Sequence, residues 1–70
     1  MKENIQFWLN GEKYYLKKTI SLSDLIKYFN YNNTLFVLEY NSLVCNRNDW
    51  EKTLVSNLDK IEIVTIVGGG

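Results

Sequence analysis

The stretch that decides the fold is Ile61–Gly70, "IEIVTIVGGG". Its first residues alternate, with Ile61 and Ile63 on one face and Glu62 and Val64 on the other, which is the period of a strand packed on one side. Three glycines follow at once. Such a strand can be a sheet edge with an idle end, or a central strand that delivers a slim arm. Glycines extend at about 3.3–3.6 Å each, so three reach roughly 10 Å. Lacking Cβ atoms, they pass where any other residue is blocked.

The preceding elements favour the central position. "IQFWLN" (residues 5–10) places Ile5, Phe7 and Leu9 on one face and Gln6, Trp8 and Asn10 on the other. Asn10-Gly11 suits a two-residue type I′ turn, and "EKYYLKK" returns as the second strand. "SLSDLIKYFN" (residues 21–30) reads as a helix. Ser21 caps it, Asp24 completes a capping arrangement, and Leu22, Leu25, Ile26 and Phe29 form one buried stripe. "NYNN" ends it, because Asn tolerates the left-handed conformation.

"TLFVLEY" is a third strand, with Phe36, Leu38 and Tyr40 facing one way and Leu35, Val37 and Glu39 the other. Asn41-Ser42 turns into a short "LVC", and "NRNDWEKTLVSNLD" is irregular, with a helical turn near Asp49-Trp50. One helix across one mixed sheet of four to five strands buries both apolar faces. The predicted class is α+β, a β-grasp with the last strand beside the first. The domain spans 1–67, and 68–70 form a flexible tail.

Composition bounds the function. Seventy residues make one small domain, and 46% hydrophobic content supports a globular core. Formal net charge is zero, and Lys17, Lys18, Lys27 and Lys52 read as a solvated face, so nucleic-acid binding has no electrostatic footprint. There is no histidine and a single cysteine, which removes His-based triads, Cys/His metal sites and internal disulfides. Cys45 has Arg47 two residues away, yet beside Leu43 and Val44 it reads as a packing residue. Trp50 reads as core.

No run reaches transmembrane length, and "MKENIQFW" lacks the apolar stretch of a signal peptide. The absence of alanine and proline, with abundant Asn, Lys, Ile and Tyr, resembles an AT-rich coding genome. The expected location is the cytoplasm, or the plastid stroma if the gene is plastid-encoded.

Two features remain for function. Trp8, Val37, Val64 and Ile66 fall on the sheet face away from the helix. They form either scattered surface apolarity or a docking patch. The carboxylate of Gly70 ends the arm. Ionised at neutral pH, with a usual pKa of about 3.3–3.7, it is a poor electrophile until activated. The chain carries no phosphate loop, so activation must come from a partner.

"NGE", "SLSDLI", "NRNDWEKTLV" and above all "DKIEIVTIVGGG" resemble ThiS, the sulfur carrier family of thiamin biosynthesis, over nearly the whole chain. The resemblance implies a ubiquitin-like β-grasp and a carrier rather than an enzyme. Gly69 and Gly70 match the family's terminal Gly-Gly. Gly70 would be adenylated by an E1-like, ThiF-type partner that uses ATP, with no cofactor bound by the carrier. It would then become a thiocarboxylate, with sulfur drawn ultimately from cysteine. Thiazole synthase of the ThiG type would take that sulfur, and Gly68 and Gly69 would let the arm into partner channels.

This chain departs from the family pattern in three loops. The family often has Asn-Gly at Asn41-Ser42, a glycine near Leu58 and a proline near Asn46. The alternatives are a carrier of the molybdopterin-synthase small-subunit type, a ubiquitin-like modifier, and a β-grasp interaction module whose glycines are idle.

Overall fold

A computed structural model describes residues 4–31 and 35–66. The Asn10-Gly11 turn joins β1 (Ile5–Leu9) to β2 (Glu12–Leu16), with φ of 52° and 86° at its two residues. Both are left-handed, as a type I′ turn requires. Helix α1 (Leu22–Tyr28) starts at Ser21, whose Oγ accepts from the Asp24 N–H at 3.1 Å. Two further helix-start donors also find acceptors, Leu22 N–H on the Thr53 carbonyl and Ser23 N–H on the Trp50 carbonyl. Asn30, with φ 62°, ends the helix.

The remaining elements of the described residues are β3 (Phe36–Tyr40), β4 (Leu43–Val44), a 3-10 turn (Arg47–Asp49) and β5 (Asp59–Thr65). The sheet order is β2-β1-β5-β3-β4. β5 lies in the middle, parallel to β1 and antiparallel to β3. The expected β-grasp is therefore observed, with five strands and one helix. The helix and the second, third and last strands are each slightly shorter than the sequence suggests, and Thr34 and Val67 lie outside the described residues.

The core sits between α1 and one sheet face. Phe7, Leu22, Leu25, Leu38, Val55 and Ile61 are fully buried. Trp50 is buried too, its ring stacked on Phe36 at 5.3 Å and its Nε1 donating to the Cys45 carbonyl at 3.0 Å. The stretch that looks irregular in sequence is thus fixed by one indole and by the helix start.

Ser42 and Leu58, at and near the positions where the resemblance implies a frequent glycine, have φ of 76° and 71°. A left-handed conformation costs an L-residue roughly 1–2 kcal/mol that glycine does not pay. Leu58 is also half-exposed, so little packing offsets the strain. Ser42→Gly and Leu58→Gly are each expected to stabilise the fold by about 1 kcal/mol. In a thermal melt that is a rise of about 4–8 °C for a domain of this size. Unchanged or lower melting temperatures would contradict the strain.

Asp59 is the buried charge of the core edge. Its carboxylate accepts from Tyr40 OH at 2.5 Å, Ser56 N–H at 2.7 Å and Asn41 Nδ2 at 3.1 Å. Burial, then the hydrogen bond and charge of Asp59, push the Tyr40 hydroxyl from 10.0 up to about 12. The folded state thus favours the protonated phenol. That contribution is complete below pH 10 and is lost as the pH rises to about 12. Urea melts across this window should show stability falling with pH in the wild type and a smaller fall in Tyr40→Phe. Identical slopes would remove Tyr40 as the cause.

Candidate functional site at the end of the central strand

Two asparagine side chains extend the backbone ladders that hold β5 in place. β1 ends at Leu9, paired with Ile61, and then turns away. Asn10 continues the ladder. Its backbone N–H donates to the Ile61 carbonyl at 2.9 Å, and its Oδ1 accepts from the Ile63 N–H at 2.8 Å. Asn41 does the same from β3. Its N–H donates to the Lys60 carbonyl at 2.7 Å, and its Oδ1 accepts from the Lys60 N–H at 2.8 Å. The start of the strand is fixed by Leu58 N–H on the Gln6 carbonyl at 2.6 Å and Gln6 N–H on Asn57 Oδ1 at 2.9 Å.

The strand leaves the sheet beside Leu35, whose carbonyl accepts from the Ile66 N–H at 2.9 Å. Gly68, Gly69 and Gly70 lie outside the described residues. On the face away from α1, Val37 and Val64 are registered partners. Leu35 and Ile66 extend the same rows, and Leu35, Val64 and Ile66 are all exposed.

Trp8 shares this face but not this patch. It registers with Lys60 on one side and Lys13 on the other, and Lys13 Nζ lies 5.4 Å from its ring centroid. Lys60 and the opposed pair Glu39 and Glu62 stand between it and Val64. The four residues expected together thus divide into a group of Val37, Val64 and Ile66, which gains Leu35, and a separate Trp8. Alternation gives the face; only register gives the distance.

Cys45 is half-buried and packs against the core. The nearby cation of Arg47 lies 5.3 Å over the Trp50 ring. The packing reading of Cys45 agrees with this arrangement. No helix of the described residues is long and apolar enough to cross a membrane.

Comparison with known proteins matches residues 7–70 to the ThiS family model. The chain belongs to the ThiS family. Its members are small sulfur-carrier proteins rather than enzymes. The ycf40 protein of Trieres chinensis is 59% identical over 64 residues, 91% of this chain and 88% of the relative. That of Porphyra purpurea is 34% identical over 100% of this chain and 99% of its own. Among solved structures, the thiamine biosynthesis protein ThiS of Geobacter metallireducens superposes with a TM-score of 0.80. That match covers 94% of this chain and 100% of the other at 20% identity, and it supports the fold.

Asn10 can be tested without disturbing its turn, because glycine keeps the left-handed conformation and deletes the side chain. Asn10→Gly leaves the buried Ile63 N–H unpaired, at a cost of about 1–3 kcal/mol. The Ile63 amide should exchange with solvent faster relative to Ile61. Unaltered exchange at Ile63 would show that Asn10 does not hold the strand.

Proposed function

We propose that this chain is the sulfur carrier of thiazole formation in thiamin biosynthesis, with the Gly70 carboxylate as its working group. The observation that carries the reading is the family match running through Gly70, on a chain whose central strand ends at Thr65, with Ile66 and Val67 before Gly68 in the sequence. The chemistry suits such an arm. A carboxylate oxygen attacks the α-phosphorus of ATP on an E1-like, ThiF-type partner, and pyrophosphate leaves. The acyl-adenylate is an electrophile, so a hydrosulfide-level nucleophile adds at its carbonyl, AMP leaves with the electron pair of the broken C–O bond, and loss of the S–H proton leaves the thiocarboxylate. Thiazole synthase of the ThiG type then accepts that sulfur.

In this reading the carrier is a cosubstrate and binds no cofactor of its own, ATP being held by the partner. Residues 68–70 act as the arm, with Gly68 and Gly69 admitting it to partner channels. Leu35, Val37, Val64 and Ile66 supply an apolar docking surface at the base of the arm, and Trp8 makes a separate contact. The ycf designation of the relatives, used for plastid reading frames, supports the plastid stroma as the location.

A ThiF-type enzyme with ATP and labelled pyrophosphate tests the reading. Wild-type chain should support ATP–pyrophosphate exchange. Deletion of Gly70, or one residue added after it, should abolish exchange while the melting temperature is unchanged. Val64→Asp should raise KM about tenfold or more, since an ionised carboxylate at an apolar contact costs more to desolvate than a neutral polar group, itself about 1–3 kcal/mol. Exchange that tolerates the extension would favour an interaction module with idle glycines.

A further inference from the structure

The opposite edge of the sheet carries a second surface. Gln6 directs its N–H and C=O toward the β5 side, to Asn57 and Leu58. Ile5, Phe7 and Leu9 therefore bond to β2, through their partners Leu16, Tyr14 and Glu12. The parity leaves the backbone N–H and C=O of Lys13 and Tyr15 pointing outward from edge strand β2. Among the described residues nothing hydrogen-bonds to them from outside the sheet.

Next to this edge, between β2 and α1, opens a cavity of about 330 Å³. Tyr14, Leu16, Ile20, Leu25 and Phe29 line it. Tyr28 stands exposed at its rim.

We propose that this edge and groove bind an extended acidic peptide segment of a partner protein, added to the sheet as a sixth strand beside β2. Residues opposite Tyr14 and Leu16 place apolar side chains into the groove. The residue opposite Lys13 shares the solvent face with that lysine, and Lys17 and Lys18 follow directly after the strand ends at Leu16. The fitting pattern is therefore acid, apolar, any residue, apolar, acid.

Lys13, Lys17 and Lys18, at or just beyond the edge strand, favour an acidic occupant. Pairing two β2 strands about a two-fold axis at Tyr15 sets Lys13 of one copy opposite Lys17 of the other, and like charges directly opposed are unfavourable. Glu12, at the hairpin end of β2, accepts from Tyr14 OH at 3.1 Å and lies off the solvent-face row of Lys13 and Tyr15. β1 separates this edge from β5, so a bound strand lies away from Val64 and Ile66.

The test is amide NMR of the full chain titrated with a capped peptide whose core is Asp-Val-Thr-Val-Asp. Saturable binding is expected, with slowed hydrogen exchange at the Lys13 and Tyr15 amides. Tyr15→Pro removes an outward N–H without touching the β1 ladder and should abolish binding at an unchanged melting temperature. Lys17→Glu should weaken the acidic peptide about threefold or more and favour a lysine-flanked version.

Absence of saturable binding, or binding that ignores both Tyr15→Pro and Lys17→Glu, overturns the proposal. So does a peptide-free dimer, seen by sedimentation, that protects the same two amides. None of these readouts uses an activating enzyme, so the outcome is independent of the sulfur-carrier reading.

Discussion

The structure depends on keeping β5 in the middle of the sheet. A central strand needs partners on both sides, yet β1 pairs with β5 only from Phe7 to Leu9 before the chain must turn. Asn10 resolves the conflict by serving both demands. Its backbone adopts the left-handed turn, and its side chain takes the Ile63 N–H that a longer β1 would have taken. On the other flank Asn41 plays the same part, turning the chain after β3 while its amide engages Lys60 and Asp59. Two asparagines thus allow both neighbouring strands to be short without releasing the central one.

This arrangement has a directional consequence. The parallel pairing of β5 with β1 sends its C-terminal end past the Asn10 turn, with β3 as the remaining flank. The inward residues Ile61 and Ile63 anchor the strand in the core, while Val64 and Ile66 stay exposed on the outward face. Burial of one face therefore secures the strand, and the other face remains available. The proposed carrier role needs that combination, with the domain staying folded while partners are engaged.

Much of this was legible from the sequence because the signals are local. Asn10-Gly11 specifies its turn within two residues, Ser21 and Asp24 mark the helix start, and alternation assigns Phe7, Leu9, Leu38, Ile61 and Ile63 to the core. What was not legible spans the chain. The bond between Asn10 and Ile63 joins residues 53 positions apart, and no local pattern distinguishes a turn asparagine from one that also mends a sheet. Asp59 carries no local sign of burial, because Tyr40, Asn41 and Ser56 are brought around its carboxylate only by the fold. Trp8 was assigned the right face and the wrong neighbours, since register is set by pairings that alternation does not specify. The departures from family glycines at Ser42 and Leu58 did mark the places where the backbone is left-handed.

The central claim is that the Gly70 carboxylate carries sulfur. Intact-mass and C-terminal-fragment mass spectrometry, after incubation with a ThiF-type enzyme, ATP and a sulfur donor, tests it most directly. The account predicts an ATP-dependent gain equal to exchange of one oxygen for sulfur, localised to Gly70 rather than to Met1 or Cys45, whose oxidation gives nearly the same shift. A Gly70 that remains a plain carboxylate, with a partner set shown to load another ThiS-family carrier, would contradict it.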